Sequence, residues 1–284
     1  MENCIEINSV SKRYKSFALD NVSLCVPYGS VMGFIGENGA GKSTTIKALL
    51  GFIKIDSGSI TVMGENASGL SNATKEKIGV VFDTPPFPPS LTPKQLDKVL
   101  RGIYKTWDSE KFFDYIKRFE LPDDKKIKSF SRGMGMRLSI SAALAHSPEL
   151  LVLDEPTGGL DPVVRAGIID IFREFMLDEK HTILISTHIT SDLDRLADYI
   201  CFIHKGKVIF TEERDEMHDK YRILNCTDEQ LALIDKEDII GIRKGRFSSE
   251  VLTAAADKYP DIASDVPTID EIMVYFVRNE EEKV

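Results

Sequence analysis

Residues 36–44 read Gly36-Glu37-Asn38-Gly39-Ala40-Gly41-Lys42-Ser43-Thr44, a spacing of glycines, a lysine and hydroxyls that suits a polyphosphate. Glycines without a Cβ let successive backbone N–H groups curl around a phosphate chain. Lys42 has the reach for the β and γ phosphates, and the Ser43 hydroxyl is placed for Mg²⁺. The apolar run Val31 to Ile35 comes before the loop, and Thr45-Ile46-Lys47-Ala48-Leu49-Leu50 follows it. Strand, loop and helix therefore occur in the order a P-loop requires, with the helix N-terminus adding its dipole. The pattern predicts a Mg-nucleoside triphosphate held by Gly36, Asn38, Gly39, Ala40, Gly41, Lys42, Ser43 and Thr44.

A second group of candidates lies where Leu150-Leu151-Val152-Leu153 runs into Asp154-Glu155-Pro156. Four apolar residues ending in two carboxylates predict a buried parallel strand whose C-terminal end points at the site. Open α/β sheets bind their ligands at that end. In the manner of a Walker B motif, Asp154 would hold Mg²⁺ through its water shell, and Glu155 would take a proton from the attacking water.

With these residues in view, the chain resembles the ATP-binding subunit of an ABC transporter over residues 1 to about 211. Ser131-Arg132-Gly133-Met134-Gly135 stands where that family carries its Ser-Gly-Gly-Gln signature. Gly159-Leu160-Asp161 resembles its D-loop, Thr187-His188 its switch histidine, and Tyr14 the aromatic residue on which adenine stacks. The resemblance implies ATP and Mg²⁺ as cofactors, with Ser43, Asp83 and Asp154 around the metal. It implies two such subunits, or this one and a homologue (a homo- or heterodimer), closing head to tail over ATP, with Ser131 and the Gly133 amide offered to the γ-phosphate bound by the other subunit. Asp161 would link the two sites, and His188 would steady the γ-phosphate and water. Separate transmembrane permease subunits are the implied partners, and the implied direction is export.

Two positions depart from the family pattern. The strand Ile78-Gly79-Val80-Val81-Phe82 ends in Asp83 where the family has glutamine, which keeps an oxygen for Mg²⁺ but changes how water would be oriented. In the signature, Arg132 replaces a glycine and Met134 the glutamine. Arg132 is expected to meet an acidic group of the partner subunit or to reach the phosphate, with a solvated surface position as the alternative. The wording Phe-Ser-Arg-Gly-Met resembles the bacterial Ytr-type branch, whose members are tied to export or antibiotic response.

The elements that must position these residues follow from the pattern. Strand patterns at Cys4–Ile7, Val22–Val26 and Gly58–Val62 suit an antiparallel subdomain, whereas Ile78–Phe82, Leu150–Leu153 and Thr182–Ser186 predict a parallel core sheet. The fold class is α/β, a P-loop NTPase with a helical subdomain at about 84–148. That subdomain opens with Thr92-Pro93-Lys94-Gln95, a capping signal for a helix to about Tyr104, and continues with a helix from Asp108 to Phe119. The signature helix is expected to run to about His146. Pro85-Pro86-Phe87-Pro88-Pro89 is expected to be extended, either a stiff transmitter or a simple loop, with Phe87 facing the membrane partner if exposed. Residues 212–284 read as a small α+β appendage with a strand near Ile239–Ile242, a helix near Ser249–Lys258 and a final helix opened by Thr268-Ile269-Asp270-Glu271.

Composition bounds the rest. The 284 residues are 42% hydrophobic, enough for a sizeable core in one large and one smaller domain. No apolar run approaches the roughly 20 residues that span a bilayer. The N-terminus has no secretory pattern, and Cys4, Cys25, Cys201 and Cys226 lack metal-ligand spacing. Reduced thiols, and a cytoplasmic subunit peripheral to the inner membrane face, are expected. The net charge of −9 opposes a large nucleic-acid surface. The basic segment Arg243-Lys244-Gly245-Arg246 and the acidic Glu280-Glu281-Glu282 read as solvated. Two alternatives share the nucleotide motifs: a soluble ABC ATPase acting on DNA or ribosomes, and a weakly catalytic sensor subunit. The first lacks its long heptad insertion or second cassette here, and intact Lys42, Asp154, Glu155 and His188 oppose the second.

Overall fold

The computed structural model describes residues 2–245 and 248–282, without the side chains of 279–282. Arg246 and the Glu280–Glu282 side chains therefore lie outside the described residues. The chain divides into two compact units, residues 1–208 and 209–284.

The first unit opens with β1 (Asn3–Arg13) and β2 (Ala18–Pro27), an antiparallel pair that is extended by β4 (Ser57–Val62) and β5 (Glu65–Asn66) in the order β2-β1-β4-β5. Between them, β3 (Val31–Ile35) leaves for a second sheet, where it lies parallel between β8 (Thr182–Thr187) and β9 (Tyr199–His204). Next to β8 follow β7 (Leu150–Asp154) and β6 (Ile78–Val81), also parallel. All five residues of β3 and all five of β7 are buried, as expected of strands covered on both faces. Phe34, Leu150, Val152, Leu184 and Cys201 share one core cluster with Ile5, Ile7 and Val26 of the antiparallel sheet. Each such fully buried side chain contributes roughly 1.5–3 kcal/mol. The strand β10 (Lys207–Glu213) straddles the division between the units.

Helices follow the strands at the ends that matter. After β3 comes α1 (Lys42–Leu49), and α2 (Asn72–Glu76) leads into β6. The predicted helical insert consists of α3 (Pro93–Arg101), with the Thr92–Gln95 capping box formed, α4 (Ser109–Arg118), capped by Asp108, and α5 (Arg132–Ala145), capped by Ser131. A two-pronged ion pair from Arg118 to Glu174, at 2.5 and 2.6 Å, joins α4 to α6 (Pro162–Phe175). The short α7 (Thr190–Leu196) precedes β9. The helix expected to reach Tyr104 stops at Arg101, and β6 stops one residue before Phe82. Phe87 is half-buried, and the chain turns at Pro88–Leu91, where the Leu91 N–H donates to the Pro88 carbonyl at 3.2 Å.

The second unit holds α8 (Arg214–Lys220), β11 (Arg222–Cys226), α9 (Asp228–Leu231), β12 (Gly241–Lys244), β13 (Ser249–Thr253), β14 (Ser264–Asp265) and α10 (Ile269–Glu282). Its antiparallel sheet has the order β12-β13-β11-β14 around Leu224, Cys226 and Val251. Here the helix expected near Ser249–Lys258 is replaced by β13 and a short 3-10 turn at Ala256–Lys258. Val251 and Leu252 are buried by pairing with both β11 and β12, which favours the strand. The final helix keeps its box, with the Thr268 N–H donating to Glu271 at 2.8 Å. Cys4, Cys201 and Cys226 are buried, Cys25 is exposed, and no disulfide joins them. Among the described residues no helix is long and apolar enough to cross a membrane.

Candidate nucleotide site

A cavity of about 500 Å³ opens at the C-terminal end of β3, lined by the loop residues Glu37, Asn38, Gly39, Gly41, Lys42, Ser43 and Thr44, together with Ser16, Phe17, Asp83 and Glu155. The loop's backbone leaves little choice of residue at two glycines. A Cβ on Gly36 would sit 2.3 Å from the Ile203 carbonyl oxygen. Gly41 caps α1 at φ +119°, in the left-handed region. Ala40 is buried, and its carbonyl accepts from the Gly206 N–H at 2.9 Å, so the loop is tied to the core from behind.

Lys42, only 5% exposed, donates to the carbonyls of Gly36 at 2.6 Å and Glu37 at 3.3 Å, and stands 3.2 Å from Glu155 Oε1. At the end of β7, Asp154 Oδ1 accepts from Ser43 Oγ at 3.1 Å and from Ser186 Oγ at 2.6 Å. The next residue, Glu155, takes a positive φ of 53°, an uncommon conformation for a side-chain-bearing residue. That turn is fixed by its N–H donating to the Ser186 carbonyl at 3.0 Å. His188 Nδ1 lies 2.8 Å from Glu155 Oε2, whereas Oε1 is buried with the Lys42 ammonium as its partner. A strained, braced carboxylate whose second oxygen is held only by a lysine that a phosphate would attract can serve as a base beside the cavity.

The segments that carry Glu155 and His188 are clamped together by a residue the sequence reading missed. Asp192, 2% exposed in the first turn of α7, accepts from Thr157 Oγ1 at 2.6 Å and from Arg165 Nε at 2.5 Å. The available signal was an acidic residue four positions after His188, one helical turn inward. A second omission is Phe17, whose ring lies 3.1 Å from where a Cβ on Gly41 would be.

The chemistry of the donor set also bears on a metal. Glu37 and Glu155 line the cavity beside the one ammonium of Lys42, while Asp83 is already bonded to Arg132, so a triphosphate entering alone brings negative charge that Lys42 cannot balance. A divalent cation relieves it, and Ser43 with Asp154 is the sparse oxygen set Mg²⁺ uses when phosphates and water complete its shell. Among the described residues no cluster of three or more His, Cys, Asp or Glu forms a dedicated metal cage.

Residues 19–158 match the family described as ABC transporter. The bacitracin transport ATP-binding protein BcrA of Bacillus licheniformis is 34% identical over 82% of this chain and 78% of its own length. The lantibiotic transport ATP-binding protein SrtF of Streptococcus pyogenes is 37% identical over 78% of this chain and 96% of its own. The chain belongs to the ABC transporter ATP-binding family. A solved ATP-binding subunit of an ABC transporter, 26% identical, superimposes with a TM-score of 0.69 over 76% of this chain and 92% of that one. This ABC subunit is accordingly an ATPase that powers transport.

Within the ABC subunit the remaining expected residues lie in different places. Ser131 and Gly133 sit at the N-terminus of α5, outside the residues that line the cavity, with Ser131 Oγ accepting from the Met134 N–H at 3.2 Å. Asp161 is exposed and caps α6 by accepting from the Val164 N–H at 3.0 Å. Tyr14 is 48% exposed, with Lys12 over its ring at 5.8 Å, and does not line the cavity. Phe17 takes that place, because the turn in which the Tyr14 N–H donates to the Phe17 carbonyl at 2.7 Å carries Phe17 toward Gly41. Asp83 does reach the cavity but is bonded to Arg132 of its own chain. The acidic partner expected for Arg132 in another subunit is thus supplied within this one.

Proposed function

We propose that this subunit drives an exporter by closing with a second ATPase subunit over ATP and passing that closure to separate membrane permease subunits. BcrA and SrtF, named for bacitracin and lantibiotic transport, support a cargo of antibiotic type, and the Phe130–Met134 wording supports export. The glycine loop and Lys42 bind the phosphates, and Ser43 and Asp154 would hold Mg²⁺, which would supply charge neutralisation to the triphosphate. Phe17 is placed to cover the nucleotide at the loop, a part assigned from sequence to Tyr14. Glu155 accepts the proton of the attacking water through Oε1, and His188 holds the carboxylate from its other oxygen. Ser131 and the Gly133 amide face the nucleotide of the second subunit, where a helix N-terminus favours the γ-phosphate. Asp161 borders the same junction. A cytoplasmic position against the membrane follows from the permease partners.

The observation that carries this reading is the buried Oε1 of Glu155, held in the cavity wall by the Lys42 ammonium at 3.2 Å, so that a phosphate drawing Lys42 to itself frees the oxygen as a base. Replacing Glu155 with Gln keeps the shape and removes the base. Phosphate release should fall at least a hundredfold while ATP binding persists. Turnover within threefold of wild type would reject Glu155 as the base.

A further inference from the structure

Two of the positions at which this chain departs from the family pattern, Asp83 and Arg132, are 49 positions apart in sequence and bonded to each other in the fold. Asp83 follows β6 and lines the nucleotide cavity. Arg132 is the first residue of α5. Its guanidinium also lies against the turn after Glu155: a Cβ on Gly159 would meet Arg132 Nη1 at 3.2 Å and Cζ at 3.4 Å, and one on Gly158 would meet Nη2 at 3.6 Å. Gly159, with φ +69°, leaves the space the planar fork occupies. The surroundings are close as well, since Pro85 would be 3.0 Å from a Cβ on Gly135 and Leu160 3.5 Å from one on Gly133. One side chain therefore joins the cavity mouth, the signature helix and the turn between Glu155 and Asp161.

The electrostatics explain why the two departures occur together. A carboxylate in place of a neutral amide adds a negative charge to a cavity that already contains Glu37 and Glu155 and must accept a triphosphate. A cation at the first position of a helix is disfavoured by the helix dipole. Bonded together, each charge relieves the other. Replacing Arg132 by lysine would keep the charge but lose the flat fork that rests on the two glycines.

We propose that Arg132 is a positioning residue of the ATP site, the built-in counter-cation of Asp83, which neutralises the cavity mouth and anchors it to Gly158–Gly159. In this chain the bonded pair stands where the family has a glutamine and a glycine. This inference rests on reading the cavity as the ATP site, and it concerns affinity for nucleotide rather than the chemical step.

The test is binding of a fluorescent ATP analogue with Mg²⁺ in the Glu155→Gln background, where hydrolysis does not intrude. Arg132→Gly should weaken binding about fivefold, the scale of a half-exposed ion pair, and the loss should shrink between 50 mM and 500 mM salt. Arg132→Lys should return affinity to within twofold. Adding Asp83→Gln to Arg132→Gly should do the same, because the uncompensated charge is then gone. Arg132→Gln, also neutral, should match Arg132→Gly and stands in for it if the glycine variant does not fold. The proposal is overturned if the neutral single variants bind as the background protein does, or if the double variant is as weak as Arg132→Gly alone. Failure of the ATP-site reading itself looks different: the Glu155→Gln background would bind no better than a Lys42→Ala protein.

Discussion

Single residues decide how the carboxylate of Glu155 is held, and Asp192 shows it best. Its two oxygens serve Thr157, two positions after Glu155, and Arg165 of α6, while its own position four residues after His188 ties in the histidine. Removing it leaves a buried hydroxyl and a guanidinium without their acceptor. Asp192→Ala should cost about 3 kcal/mol in urea unfolding. It should also lower ATP turnover, because the Glu155 and His188 segments lose their common anchor. A cost under 1 kcal/mol with unchanged turnover would show that the clamp is dispensable. The positions of Lys42, Asp154 and Glu155 were legible from short local patterns after strands, and that of His188 from the family resemblance. Asp192, Phe17 and the Asp83–Arg132 bond were not, since each depends on residues distant along the chain meeting in space.

At the scale of elements, α5 carries the signature at one end and a buried histidine at the other. His146 follows its last turn, stacks on Tyr104 with ring centroids 4.2 Å apart, and has the carbonyls of Ala142 and Ile78 at 3.4 and 3.3 Å from its two nitrogens. Burial pulls its pKa below the ordinary histidine value of 6.5, outweighing the two carbonyls that pull it up. The folded protein therefore keeps His146 neutral at pH values where the unfolded chain already binds a proton there. The stability this residue contributes is complete above the ordinary histidine range and is lost as pH falls through it toward the lowered folded value. Between pH 8 and 5.5, wild type should lose more unfolding free energy than His146→Phe, measured by urea titration at each pH. Parallel losses would contradict the assignment. The helix itself was readable from Ser131 as cap and the apolar stretch that follows, whereas β13 was not. Its Ser-Glu-Val-Leu-Thr run is compatible with either structure, and pairing with β11 and β12 decides in favour of the strand.

For the whole molecule, the nucleotide cavity and the signature face different surroundings: Lys42, Ser43 and Glu155 line the cavity, while Ser131 and Gly133 lie at a helix start outside it. A single subunit thus holds the parts for binding and proton transfer but leaves its signature without a phosphate, which a second subunit would provide. Two chains of charge −9 repel one another at long range, so their closure must depend on the bound nucleotide and its cation rather than on general attraction. The parallel sheet, antiparallel sheet and helical insert were all readable in order from the sequence, because each follows hydrophobic patterning over a few residues. The measurement that bears most directly on the account is the molar mass of the Glu155→Gln protein in solution by light scattering, with and without Mg-ATP. A shift from one subunit mass to two on adding Mg-ATP is the expected result, and reversal on nucleotide removal should follow. A protein that binds Mg-ATP yet stays at one subunit mass at micromolar concentration would contradict closure between two copies of this subunit over shared nucleotides.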